Sequence, residues 1–239
     1  MIAFAALLAA LLLLAWGMPH LTPVFATLFP GLDSPVYAMD TFPSLLLGHL
    51  GIVAAASAVA VGGGTAAGIV VTRRAGSDFR GLLETVAAVG QAFPPVAVLA
   101  LAVPAMGFGP GPAVLALALY GLLPVVQNTI AGLESAPAEA VAAARGMGMT
   151  GTQILFRVEL PLAAPVILAG VRVSVVIGTG TAAIASTVGA RTLGLPIIVG
   201  LNGSNPAYVL QGAVLVALLA MVLDQGFGAL ARASTQWRA

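Results

Sequence analysis

The sequence predicts an all-α membrane protein with six transmembrane helices. Apolar residues make up 60% of the 239 and charged residues only 7%. A soluble domain holds roughly a quarter charged residues, so water is not the main solvent of this chain. Mean hydropathy is +1.08, and six stretches reach or approach the about 20 apolar residues that a helix needs to cross the hydrocarbon core.

Those stretches run 2–17, 44–71, 82–106, 113–131, 164–190 and 208–230. The first is the shortest and has the length of a signal-peptide core. It lacks a basic flank at its start and a clear small-x-small cleavage pattern after Trp16, so it is expected to be a membrane helix. Orientation follows from arginine, because the chain has no lysine. Arg73, Arg74 and Arg80 fall between spans two and three, Arg145 and Arg157 between four and five, and Arg232 and Arg238 after six, against Arg191 alone in the alternate loops. The positive-inside bias puts the 72–81 loop, the 132–161 segment and both termini in the cytoplasm. The whole chain, 1–239, reads as one membrane domain.

Composition excludes several classes of function. The net charge of +1 gives no nucleic-acid footprint, and with no cysteine there is neither a disulfide framework nor a thiol site. His20 and His49 are too few for a metal centre and read as incidental loop or helix-end residues. A GxxxxGK[ST] phosphate loop requires lysine, so ATP would have to be hydrolysed on another subunit. Gly146-Met-Gly-Met-Thr-Gly151 matches GxGxxG but follows no strand, which removes its dinucleotide meaning.

Span two carries Gly62-Gly63-Gly64, span three Pro94-Pro95, span four Pro124 and span five Gly178-Thr-Gly-Thr181. Each fits tight helix packing or a kinked, cavity-lining helix equally well; together they favour a transporter-like interior. Glu84 and Asp224 lie toward cytoplasmic ends, where snorkelling accounts for them. Arg172 either reaches the cytoplasmic interface, the favoured reading, or lines the lower pore. Phe93, Tyr120 and Tyr208 are the candidate lumenal rings, too scattered for an aromatic cage. Substrate choice is therefore expected to rest mainly with a separate binding protein.

Between spans four and five, residues 132–161 form neither a tight turn nor a disordered linker. Pro137 can open a helix that runs through the alanines to Arg145. Gly146 and Gly148 supply a stop and a turn. Thr150 and Gln153 have capping-box spacing and start a second short helix, which Leu160-Pro161 ends. Ile154, Leu155, Phe156 and Val158 give this elbow more apolar surface than a solvated loop needs. It either docks into a groove of a partner protein or folds back on the membrane surface.

The elbow resembles the cytoplasmic "EAA" loop of binding-protein-dependent ABC importer permeases. Ala142-Ala143-Ala144 occupies the triplet, Gly148 the glycine, Val158 the aliphatic position and Leu160-Pro161 the end. Position 142 departs from the pattern: the family's glutamate is replaced by alanine, and the nearest carboxylate, Glu139, is about one turn earlier. The resemblance implies that these residues couple to an ATPase. Segments such as VGQAFPPVAVLALAVPAMGFG and IASTVGARTLGLPIIVGL resemble the osmoprotectant permeases, importers of glycine betaine, choline or carnitine. Residues 18–43 resemble the long first extracytoplasmic loop of the low-affinity betaine type. Membership would imply a five-helix permease core in spans two to six plus the N-terminal helix. It would also imply a second permease copy or paralogue, a cytoplasmic ATPase dimer carrying ATP and magnesium, and an extracytoplasmic solute-binding protein. No cofactor is expected in this chain itself. Two rivals are an ion-coupled transporter or channel, disfavoured because no carboxylate falls clearly at a span midpoint, and an integral-membrane enzyme, disfavoured because no catalytic set appears at membrane depth.

Overall fold

The computed structural model describes residues 2–235, and every element among them is helical; Arg238, counted above toward the cytoplasmic charge, lies outside them. The helices are α1 (Ile2–Gly17), α2 (Thr22–Leu28), α3 (Phe42–Val71), α4 (Arg80–Ala92), α5 (Pro95–Met106), α6 (Pro110–Glu134), α7 (Ala138–Gly146), α8 (Gly151–Ile154), α9 (Leu160–Thr181), α10 (Leu195–Asn202) and α11 (Pro206–Thr235). Among the described residues five helical runs are long and apolar enough to span a membrane, and six if the bent pair α4–α5 counts as one.

The first run is longer than the sequence suggests. A 3-10 turn, Met18–Leu21, carries α1 into α2, so helix extends from Ile2 to Leu28. That takes up the first part of the expected long loop and leaves 29–41 as its irregular portion. Leu11, Ala15 and Met18 are buried with Leu45, Leu46, Leu215 and Leu219, which fixes the added helix against α3 and α11.

Span three is not one straight helix. Pro94 has no N–H to continue the ladder and pushes Phe93 out of the helical region (ψ 128°), and α4 and α5 meet at 93°. The pair still crosses the bundle. Arg80, at the start of α4, is ion-paired with Glu134 at the elbow end of α6, whereas Gly109, just past α5, donates to the Val188 carbonyl at the far end.

The core is the packing of α6 against α3 and α9, with Ala113, Ala116, Leu117, Val171 and Val175 at its centre. Small residues permit the close approach. A Cβ on Gly68 would stand 2.8 Å from Thr129, and one on Gly170 would stand 2.6 Å from the Pro124 carbonyl oxygen. Within the triple glycine, Gly64 is the packed member, 2.9 Å from Val125 by the same measure, and Gly62 faces open space. His49 is neither in a loop nor at a helix end. It lies within α3, fully buried, and its Nε2 donates to the Thr179 carbonyl of α9 at 2.9 Å.

Candidate coupling site

The elbow begins where α6 ends. Pro137 stands at the N-cap of α7 and Glu139 in its first turn, where a carboxylate complements the exposed N–H groups. The helix then closes in a Schellman turn. Gly148 adopts φ +78°, its N–H donates to the Arg145 carbonyl at 2.9 Å, and the Met149 N–H reaches back to Ala144 at 3.1 Å. Thr150 caps the next helix reciprocally: its hydroxyl accepts from Gln153 N–H, and Gln153 Oε1 accepts from Thr150 N–H at 2.8 Å.

Leu160-Pro161 does not end the second helix. Residues Leu155–Glu159 form a π-helical turn, and α9 continues directly from Leu160 with Pro161 in its first turn. Pro161 cannot donate, and its ring would clash with the carbonyl one α-turn back; a wider turn ahead of it relieves both problems. The second helix of the elbow and span five are therefore one continuous helical rod. Arg73, two residues past α3, donates to Glu159 at 2.7 Å and ties the far side of that rod to span two.

The coupling residues implied by the family resemblance divide by exposure. Glu139, Ala142, Ala143, Gly148 and Pro161 are exposed, Val158 and Leu160 are half-buried, and Ala144 is buried at 1%. The apolar surface expected of the second helix is partly used up inside the elbow, because α7 folds back over it. Ile154 is buried, while Phe156 stays 62% exposed. Met147, 75% exposed beside Gly148, adds an apolar group that the sequence pattern did not single out.

The candidate pore residues do not share one cavity. Phe93 stands at the α4–α5 break and lines an apolar groove of about 450 Å³ with Val89, Leu101, Met106 and Leu119. Tyr120 is half-buried on α6, and its carbonyl accepts from Gln91 Nε2 at 3.4 Å. Tyr208 lies at the end opposite the elbow, stacked edge-on against Tyr37 at 5.5 Å. Arg172 lies about 18 Å along α9 and makes two 2.7 Å bonds to Asp224 of α11. Asp224 is therefore committed to an inter-helix ion pair and does not snorkel.

An all-helical membrane bundle, with a folded elbow fused to one of its spans, is the architecture of a transporter's membrane subunit. The chain belongs to the family of binding-protein-dependent transport system inner membrane components, whose model matches residues 64–236. It is 42% identical over 176 residues to the osmoprotectant import permease protein OsmY of Salmonella typhimurium, covering 74% of this chain and 75% of that protein. The choline transport system permease protein OpuBB of Bacillus subtilis is 40% identical, with 66% of this chain and 71% of the relative covered. Among solved structures, the inward-facing MetNI methionine ABC transporter superposes with a TM-score of 0.71 at 21% identity, over 83% of this chain and all of that one. An amino acid ABC transporter gives 0.61 at 20%, over 79% of this chain and 90% of that one. The fold is that of an ABC importer's transmembrane subunit.

Proposed function

We propose that this chain forms half of the pore of an ATP-driven importer for quaternary-ammonium osmoprotectants such as choline or glycine betaine. The observation that carries the coupling part is the continuity of the elbow's second helix with α9 through the π turn. A hinge between elbow and span would absorb a push, whereas a continuous helix transmits it. The solute class rests on the likeness to OsmY and OpuBB.

In this reading a second permease copy or paralogue completes the pore. A cytoplasmic ATPase dimer, holding ATP and magnesium, seats the elbow through Ala142, Ala143, Met147, Gly148 and Phe156. A solute-binding protein delivers cargo at the opposite face. Arg73, Arg74, Arg80, Arg145 and Arg157 all lie at the elbow end or in its loops, against Arg191 at the other, which supports a cytoplasmic elbow and cytoplasmic termini.

The test is ATP hydrolysis by purified components. Alone, the chain should show background activity; with its ATPase, hydrolysis should rise on addition of solute-loaded binding protein. Robust hydrolysis by the lone chain, or no response to the binding protein, would overturn the reading.

A further inference from the structure

At the end of the bundle opposite the elbow, a cavity of about 630 Å³ opens between the top of α1, the 33–41 loop and the start of α3. That is the size of an ordinary small-molecule site. Three aromatic side chains, Trp16, Tyr37 and Phe42, and two carboxylates, Asp33 and Asp40, line it, and no basic residue does. We infer that this cavity binds a compact organic cation of the quaternary-ammonium class, held against the exposed Trp16 ring, with the buried Tyr37 and Phe42 as the wall behind it, and by the charge of Asp33.

The wall is built, not draped. The Tyr37 N–H donates to Gln211 Oε1 at 3.0 Å, and Gln211 Nε2 donates to the Pro35 carbonyl at 2.6 Å, so a buried α11 side chain fixes the loop. Phe42 and Tyr208 meet the Tyr37 ring edge-on at 5.9 and 5.5 Å. The Tyr37 hydroxyl is buried and has no hydrogen-bond partner. Burial and the nearby Asp40 carboxylate push its ionisation upward, which keeps the phenol neutral.

The two carboxylates differ in availability. Asp40 accepts from Arg191 and from the Thr41 N–H and is largely neutralised. Asp33 is exposed and has no ion-pair partner among the described residues. One free negative charge beside the open Trp16 ring suits a cation that has no N–H groups to satisfy. A metal ion is poorly served, because no group of three or more His, Cys, Asp or Glu occurs among the described residues. A zwitterion is also disfavoured: its carboxylate would meet Asp33 with no arginine in the lining to receive it. The cavity should therefore prefer choline to glycine betaine. The ammonium group could arrive as free solute or as a lipid headgroup. The cation chemistry comes from the cavity; only the choice of choline as probe rests on the proposed transport function.

Calorimetric titration of choline into the purified chain in phosphatidylglycerol nanodiscs tests this. Saturable binding should appear, about tenfold tighter than for glycine betaine, and Asp33→Asn should weaken it about tenfold, equal to the loss of roughly 1.4 kcal/mol. Trp16→Leu, at an exposed position, should weaken it similarly without lowering the unfolding temperature. Nanodiscs containing phosphatidylcholine separate the sources: competition with choline identifies the headgroup as an occupant of the same cation site, and unchanged affinity identifies the free solute. Absent binding, binding indifferent to Asp33→Asn, or equal affinity for glycine betaine would overturn the inference. If choline uptake by the full assembly survives while this binding is absent, the site is wrong and the transport function stands.

Discussion

Arg73 and Glu159 meet at 2.7 Å, joining the end of span two to the π turn that feeds span five. Glu159 is only 13% exposed and Arg73 35%, so the pair falls between a solvent-screened surface bridge and a buried one. Arg73→Ala should cost roughly 1–3 kcal/mol, more than an exposed pair and less than a buried one. Because the bond braces the elbow, transport should fall further than protein abundance does. The swap Arg73→Glu with Glu159→Arg should recover part of the loss. Uptake normalised to membrane abundance reads the effect, and full uptake in Arg73→Ala would remove the bracing role.

Gly148 offers a graded test of the elbow turn. Its φ is +78° and a Cβ there would meet nothing within 4 Å, so substitution in the free chain strains only the backbone. Asparagine tolerates the left-handed region and should cost little, while alanine should cost about 1–2 kcal/mol. Gly148→Glu should add loss of ATPase copurification at normal membrane abundance. Retained copurification and transport in Gly148→Glu would show that this surface does not dock.

Much of this elbow is legible in the sequence. Thr150 and Gln153 form the capping box their spacing predicts, and Gly148 takes the positive φ that a helix-ending glycine supplies. Local hydrogen bonding decides both features, so local residues reveal them. The continuity through Pro161 is not legible, because proline ordinarily stops a helix and nothing local signals a π turn. Pro94-Pro95 marks a break in span three, but the 93° angle forms where α4 and α5 both pack on α6, and hydropathy alone cannot separate one span from two apolar halves. The Arg172–Asp224 bond joins residues on different helices, and only the packed bundle brings them together.

Gln91 and Pro124 are linked through a third residue. Pro124 has no N–H to give to the Tyr120 carbonyl one turn back, and Gln91 Nε2 reaches that carbonyl from α4. Gln91→Leu should therefore lower stability by about 1 kcal/mol. In a Pro124→Ala background, where the helix bond can form, the same change should cost almost nothing. Thermal unfolding of the four proteins in detergent completes the cycle. Equal costs in both backgrounds would mean that Gln91 does not compensate for the proline.

Gly170 sets the spacing between α6 and α9. An added methyl would press within 2.6 Å of the Pro124 carbonyl oxygen and 2.5 Å of Asn128 Cβ, where backbone cannot yield cheaply. Gly170→Ala should destabilise by about 1–3 kcal/mol, and Gly170→Leu should prevent normal accumulation. Gly62→Ala, with open space around it, is the matched control and should be neutral. A stable Gly170→Leu protein would contradict the packing described.

The central claim is that this chain passes a quaternary amine through a pore driven by a partner's ATP hydrolysis. Uptake of labelled choline into proteoliposomes tests it most directly, with the permease and its ATPase reconstituted, ATP inside and the solute-binding protein outside. Accumulation should require the ATPase, ATP and the solute-binding protein together and should be insensitive to collapse of proton and sodium gradients. Accumulation driven by either gradient without ATP would contradict the account.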